Sequence, residues 1–370
     1  MSLLKNLFGK KEEPPVKTYQ DFWNWFKAHE KTFYSAVKSG KGIEKEFFSK
    51  LSPKLEELKD GFYYLAGMAD DATAELVITP DGIIRNIVFA EELVAAAPPI
   101  PNWKFTALKP ALGIESGIRM ANYTFDSGSL SFYAVEHENY PDEIDIVIVH
   151  HDFREEDRPV IIQGTYIFLD NYLGELNAAT AIDDLTVVSK EKAEKELIPI
   201  ARLKDYLHWR EKEFVEKYSG ARYNTDNDRY SSLEAELHNG RVLVAIVNST
   251  LLGWDSKASH PWISVVEINY NGDNTNGMPD DETYELLNTL EEEILLELKD
   301  ADGYLNIGRQ TADNKREIYF ACKDFRKPSK VLHEMTWKYS GKLDLSYEIY
   351  KDKYWQSFER FRPDYGAFGG

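Results

Sequence analysis

From Trp262 onward, apolar positions recur in two alternating rhythms. Over 262–270, Trp262, Val266, Ile268 and Tyr270 fall on one face, the two-residue period of a strand. Residues 271–279 are dense in Gly and Asn, which tolerate positive φ, and turn the chain. Asp280, Asp281 and Glu282 then load acid onto the start of a helix, where its dipole favours negative charge. Leu287, Leu290, Ile294 and Leu298 mark that helix's buried stripe at three- and four-residue spacing. Two alternating runs, 304–311 and 316–322, predict a hairpin about the 312–315 turn, with Ile318, Phe320 and Cys322 pointing one way. A helix after Pro328 carries Val331, Leu332, Met335 and Tyr339 on one side, with Gly341 past its end. Leu343, Leu345, Tyr347 and Ile349 alternate with Asp344, Ser346 and Glu348 in a last strand. The order β-α-β-β-α-β predicts a ferredoxin-like sheet with both helices on one face.

The preceding chain reads as a second α+β domain. Phe22, Trp25, Phe26, His29 and Phe33 predict a helix from Thr18, and Phe47, Leu51, Leu55 and Leu58 a second over 43–59, which Pro53 should kink or break. Strands are expected over 61–68, 73–79 and 83–89, the last two joined by the Pro80-Asp81-Gly82 turn, followed by a short helix from Glu91. Residues 118–125, 130–137 and 144–151 predict three strands of a meander, 158–176 a helix, and 186–188 a closing strand, giving a mostly antiparallel sheet with helices. The charged stretch 189–219 is expected to be a helical connector. Asn239-Gly240, between two apolar alternations, is a hairpin signal, and that hairpin should extend the C-terminal sheet. The predicted organisation is a flexible leader (1–17), an N-terminal α+β domain (18–188), a connector (189–230), the C-terminal domain (231–363) and a tail (364–370).

Composition narrows the function. At 370 residues and 43% hydrophobic, the chain can bury two cores. A formal net charge of -19 disfavours nucleic acid and anionic membrane as partners, because binding phosphates needs clustered Lys and Arg. The expected partner is a protein. The lone Cys322 cannot form an internal disulfide, and its place on an apolar strand face predicts a buried, inert thiol. Leu4, Leu7 and Phe8 make too short an apolar stretch for a signal segment or a span, so the cytoplasm is the default location.

No nucleophile elbow, zinc-protease helix, phosphate loop or dinucleotide fingerprint is present, and no cofactor is expected. His150-His151-Asp152 is the nearest approach to a metal site, but neighbours on a strand point to opposite faces and a third ligand at defined spacing is missing. Residues 271–282 resemble a calcium loop, yet the sixth position is Asn276 rather than glycine and a strand precedes it, so a turn is expected. Asp70-Asp71 and Asp183-Asp184 read as solvated acid pairs. Tyr304, Arg309, Arg316 and Trp355 are the candidate binding surface, since Arg and aromatics carry interface energy; the alternative is that Arg309 and Arg316 are cross-strand ion partners.

The runs 307–311 and 316–320, then Asp352 and Trp355 near Pro363, with Gly277-Met278-Pro279 before an acidic helix start, resemble bacterial domain-of-unknown-function family 695 over the last third of the chain. That resemblance implies no catalytic mechanism. Such domains are sometimes joined to a segment resembling the bacterial ribonuclease E regulator B, and no copy of that segment is visible here. The expectation is a binding or regulatory protein without a catalytic site; the alternatives are a metal-assisted hydrolase using His150 or His151, and, by family analogy, a ribonuclease regulator.

Overall fold

The computed structural model describes residues 14–362, so the expected tail, and the leader through residue 13 with Leu4, Leu7 and Phe8, lie outside the described residues. Two compact units emerge, one reaching to Asp81 and resuming over Phe89–Lys109, the other comprising Gly82–Val88 and everything from Pro110 onward. The boundary expected at residue 188 falls inside the second unit. No described helix is long and apolar enough to cross a membrane.

In the first unit, α1 (Tyr19–Ser39) starts at a capping box in which Thr18 and Asp21 satisfy each other's backbone N–H, and it ends at Gly40 in the left-handed region. Its aromatic stripe is core: Phe22, Trp23, Phe26 and Phe33 are fully buried. The helix α2 (Ser49–Leu58) runs through Pro53 without a break, and the irregularity is instead a π-helical turn at Glu44–Phe48 just before it. Strands β1 (Tyr63–Met68) and β2 (Ala74–Thr79) pair antiparallel. The strand expected over 83–89 is helical, part of α3 (Ile84–Ala95). Ile87, Ala90 and Leu93, all fully buried, recur every third residue, a helical period that the β-branched pairs Ile83-Ile84 and Ile87-Val88 masked. Topology settles the competition: α3 is the crossover to β3 (Trp103–Ala107), which lies parallel to β2 and cannot be reached by a hairpin.

In the second unit, the strand expected over 118–125 is two, β4 (Ile118–Met120) and β5 (Tyr123–Phe125), folded into a hairpin by Ala121 at φ 51°. Next, β6 (Leu130–Val135) and β7 (Asp145–His150) pair antiparallel. The helices α4 (Arg158–Leu173) and α5 (Glu175–Thr180) then cross over to β8 (Asp184–Ser189), parallel to β7. A short β9 (Ile198–Pro199) completes the order β8-β7-β6-β9. The stretch expected as a helical connector contains α6 (Leu203–Tyr218), which buries Leu203 and Leu207 in one core with Phe132, Ile148, Phe168 and Ile200.

The C-terminal elements follow their alternation closely. They are β10 (Tyr230–Glu236), β11 (Val242–Asn248), β12 (Trp262–Asn269), α7 (Asp281–Glu297), β13 (Tyr304–Ala312), β14 (Lys315–Cys322), α8 (Arg326–Lys338) and β15 (Asp344–Lys351). Asp280 caps α7 by accepting from the Thr283 amide at 2.8 Å. The six-stranded sheet has the order β10-β11-β13-β14-β12-β15 and is antiparallel throughout, the β10–β11 hairpin extending it at one edge. One face packs on α7, where Leu287, Leu290 and Ile294 are fully buried. The other packs Ile263, Leu305, Ile307 and Ala321 against Trp355, Phe358 and Phe361.

Asp183, expected to be solvated, holds the lysines that end the last strand. Lys351 and Lys353 reach its two oxygens at 2.8 and 2.7 Å, and all three side chains are at least 85% buried. Nearby, burial pushes the Asp142 carboxyl up, but hydrogen bonds from Lys217, Tyr354 and Tyr218 outweigh it and leave the group lowered. Burial first, then the charge of Lys351, pull Lys353 from its ordinary 10.5 down to about 8. Between those values the unfolded chain keeps this proton and the folded chain has released it, so stability rises with pH. Lys353 alone should contribute a gain of about 2 kcal/mol from pH 8 to pH 10, against which the raised thiol of Cys322 works in the opposite sense above pH 9. Above pH 10 the buried Tyr319, held protonated, acts in the opposite sense. Urea unfolding of the wild-type chain and of Lys353→Met at both pH values checks this: the stability difference between the two should shift by about 2 kcal/mol in favour of the wild type on going to pH 10.

Candidate functional site

The added hairpin carries the sheet past the edge of α7 and leaves a groove of about 400 Å³. Its floor is Ile246 of β11 and Tyr304, Asn306 and Arg309 of β13; its wall is Glu291, Leu295 and Leu298; Thr225 and Asp300 close one end. Tyr304 and Asn306 share this face by alternation, and Arg309 joins them because the strand slips register between Asn306 and Gly308. That bulge puts Asn306 and Arg309, an odd number of residues apart, on the same side. Gly308 makes it possible: at φ 141° a Cβ would lie 2.2 Å from the Ile246 carbonyl oxygen and 2.8 Å from the Val247 Cα.

Three charged groups of the groove have partners within it. Arg309 donates to Glu291 at 2.7 Å, and Asp300 accepts from the Thr225 amide and hydroxyl at 3.1 and 2.9 Å. Asn306 differs. Its Nδ2 is, among the described residues, the one buried side-chain nitrogen or oxygen without a hydrogen-bond partner. A buried donor left unpaired costs about 1–3 kcal/mol, and the amide borders an open groove.

Of the candidate surface, Tyr304 and Arg309 meet here. Arg316 stands behind them, 2% exposed, donating to Thr311 and Asn288 at 3.1 and 3.0 Å. Trp355 does not join them: it is buried on the opposite face of the sheet and donates its indole N–H to the His260 carbonyl at 2.9 Å. The missed residue is Asn306. Strict alternation pairs it with Tyr304 but not with Arg309, and no local signal announces the bulge.

The imidazoles at 150 and 151 are held apart. Buried His150 donates through Nε2 to the Thr124 carbonyl at 3.1 Å and accepts the Asp152 amide at Nδ1. His151 Nε2 meets the Ser131 hydroxyl at 2.9 Å, and burial pulls the His150 pKa down. The 271–282 loop is a turn, with Asn276 and Gly277 both at positive φ. Cys322 is fully buried, which pushes its thiol up to about 12, and buried His260 is pulled to about 4. The groove itself is lined by no His, Cys or Ser. It can hold a ligand through the Asn306 amide, the Lys299 ammonium, an Arg–Glu pair and apolar walls, and it presents no activated nucleophile.

No characterised protein and no solved structure matches the chain. Residues 236–361, which include the groove's floor and wall but not Thr225, match the model of a family of unknown function (DUF695).

Proposed function

We propose that this chain is a binding protein without a catalytic site of its own, and that its C-terminal domain is ferredoxin-like with an added hairpin whose groove takes the ligand. Supporting the fold reading is the sheet order β13-β14-β12-β15 for an element order β-α-β-β-α-β. The observation that carries the functional reading is the unpaired Asn306 donor beside the groove. A ligand acceptor, carbonyl or carboxylate, satisfies it once the Asn306 amide turns into the groove, while Ile246, Leu295 and Tyr304 cover an apolar portion.

Asn306→Leu separates a binding group from a defect of folding. Exchanging an unpaired amide for a similar apolar shape removes the desolvation cost, so the variant should be more stable by about 1 kcal/mol. In ligand-observed NMR against small aromatic and aliphatic carboxylates and amides, the wild-type chain should bind members that Asn306→Leu does not. Equal binding by both chains, or by neither, overturns the assignment of the groove.

A further inference from the structure

We propose that His137, Glu143 and Asp145 form a site for one divalent first-row transition-metal ion. The hairpin β6–β7 sets up the geometry. Val135 pairs with Asp145, so the chain leaving β6 carries His137 back across the start of β7. His137 Nε2 stands 2.6 Å from Asp145 Oδ2, and one ligand atom from each of the three residues lies within 4.8 Å of the others. Donors around a single tetrahedral zinc ion sit about 2.0–2.2 Å from it, hence about 3.4 Å apart, so the triad closes when His137 gives up its hydrogen bond to Asp145 and that pair widens while any wider pair draws in.

Two further features favour an ion. All three residues are half-buried, and His137 lies on the wall of a cleft of about 620 Å³ that Asp142, Arg210 and Lys217 also line. Gln356 donates to Glu143 at 2.6 Å, the kind of outer contact that orients a ligating carboxylate. One imidazole with two carboxylates suits zinc, manganese or ferrous iron better than magnesium, which prefers oxygen donors and its own waters.

The test uses the full chain, stripped with chelator and titrated calorimetrically with Zn²⁺. One equivalent should bind, Glu143→Gln and His137→Gln should each lose at least tenfold in affinity, and His150→Gln should change nothing. Gln356→Leu should weaken binding about tenfold through the outer contact. Histidine-ring NMR of the wild-type chain supplies a readout that needs no variant: Zn²⁺ should move the His137 resonances and leave those of His150 and His260 in place. Absence of stoichiometric binding, or binding that leaves the His137 ring unmoved, overturns the site.

Discussion

Gly308→Ala should destabilise the second unit by about 3–5 kcal/mol, combining backbone strain with a clash. The added methyl meets the Ile246 carbonyl and Val247 backbone, not a flexible side chain that could swing away. Relief requires β11 to move off β13, and four register pairs from Val244↔Thr311 to Val247↔Gly308 hold them together. Hydrogen exchange should therefore show amides of β10 and β11 opening before those of β12 and β14. Gly341 is the matched control: φ is 82° but nothing lies within 4 Å of its Cβ position, so Gly341→Ala should cost only about 1 kcal/mol. Comparable losses in the two variants would show that the close approach at Gly308 is unimportant.

A similar loss, about 3–5 kcal/mol, is expected for Asp183→Ala, because removing one partner of a buried ion pair strands the other. Here one carboxylate serves two ammonium groups, and Lys353 is only 5% exposed. Lys353 keeps one other acceptor, the Asp142 carbonyl, which cannot neutralise it. The double change Asp183→Ala with Lys353→Met removes the stranded charge and should recover part of the loss in urea unfolding. Simple additivity of the two changes would show that Asp183 and Lys353 do not depend on each other.

These two sites illustrate what the sequence makes legible. Local periodicity carried most of the C-terminal half: the alternation in β15, the stripe Leu287, Leu290, Ile294 and Leu298, and the Asn239-Gly240 turn each reappear as secondary structure. Where a rule depends on partners far along the chain, it fails. Residues 84–89 look like a strand until β3 is known to lie parallel to β2. Asp183 looks like one solvated acid among 63 Asp and Glu, because the lysines that bury it come 168 and 170 residues later. The groove was half legible. Tyr304 and Arg309 stand out by residue type, whereas Asn306 needed the bulge and Trp355 needed the knowledge of which face Phe358 and Phe361 cover. His137, Glu143 and Asp145 escaped for another reason: their spacing belongs to a strand-end loop, not to a helix or to adjacent positions on one strand.

The segment matched by the family begins at Glu236, the last residue of β10. Inheritance and folding thus draw different borders in this chain. A fragment cut at that border would surrender the outer strand of its own sheet, leave β11 as a raw edge, and carry Lys351 and Lys353 away from their shared counter-ion. The portable portion of the molecule is not its self-sufficient portion, and a transplant meant to preserve the groove has to bring along sequence that the family match does not include.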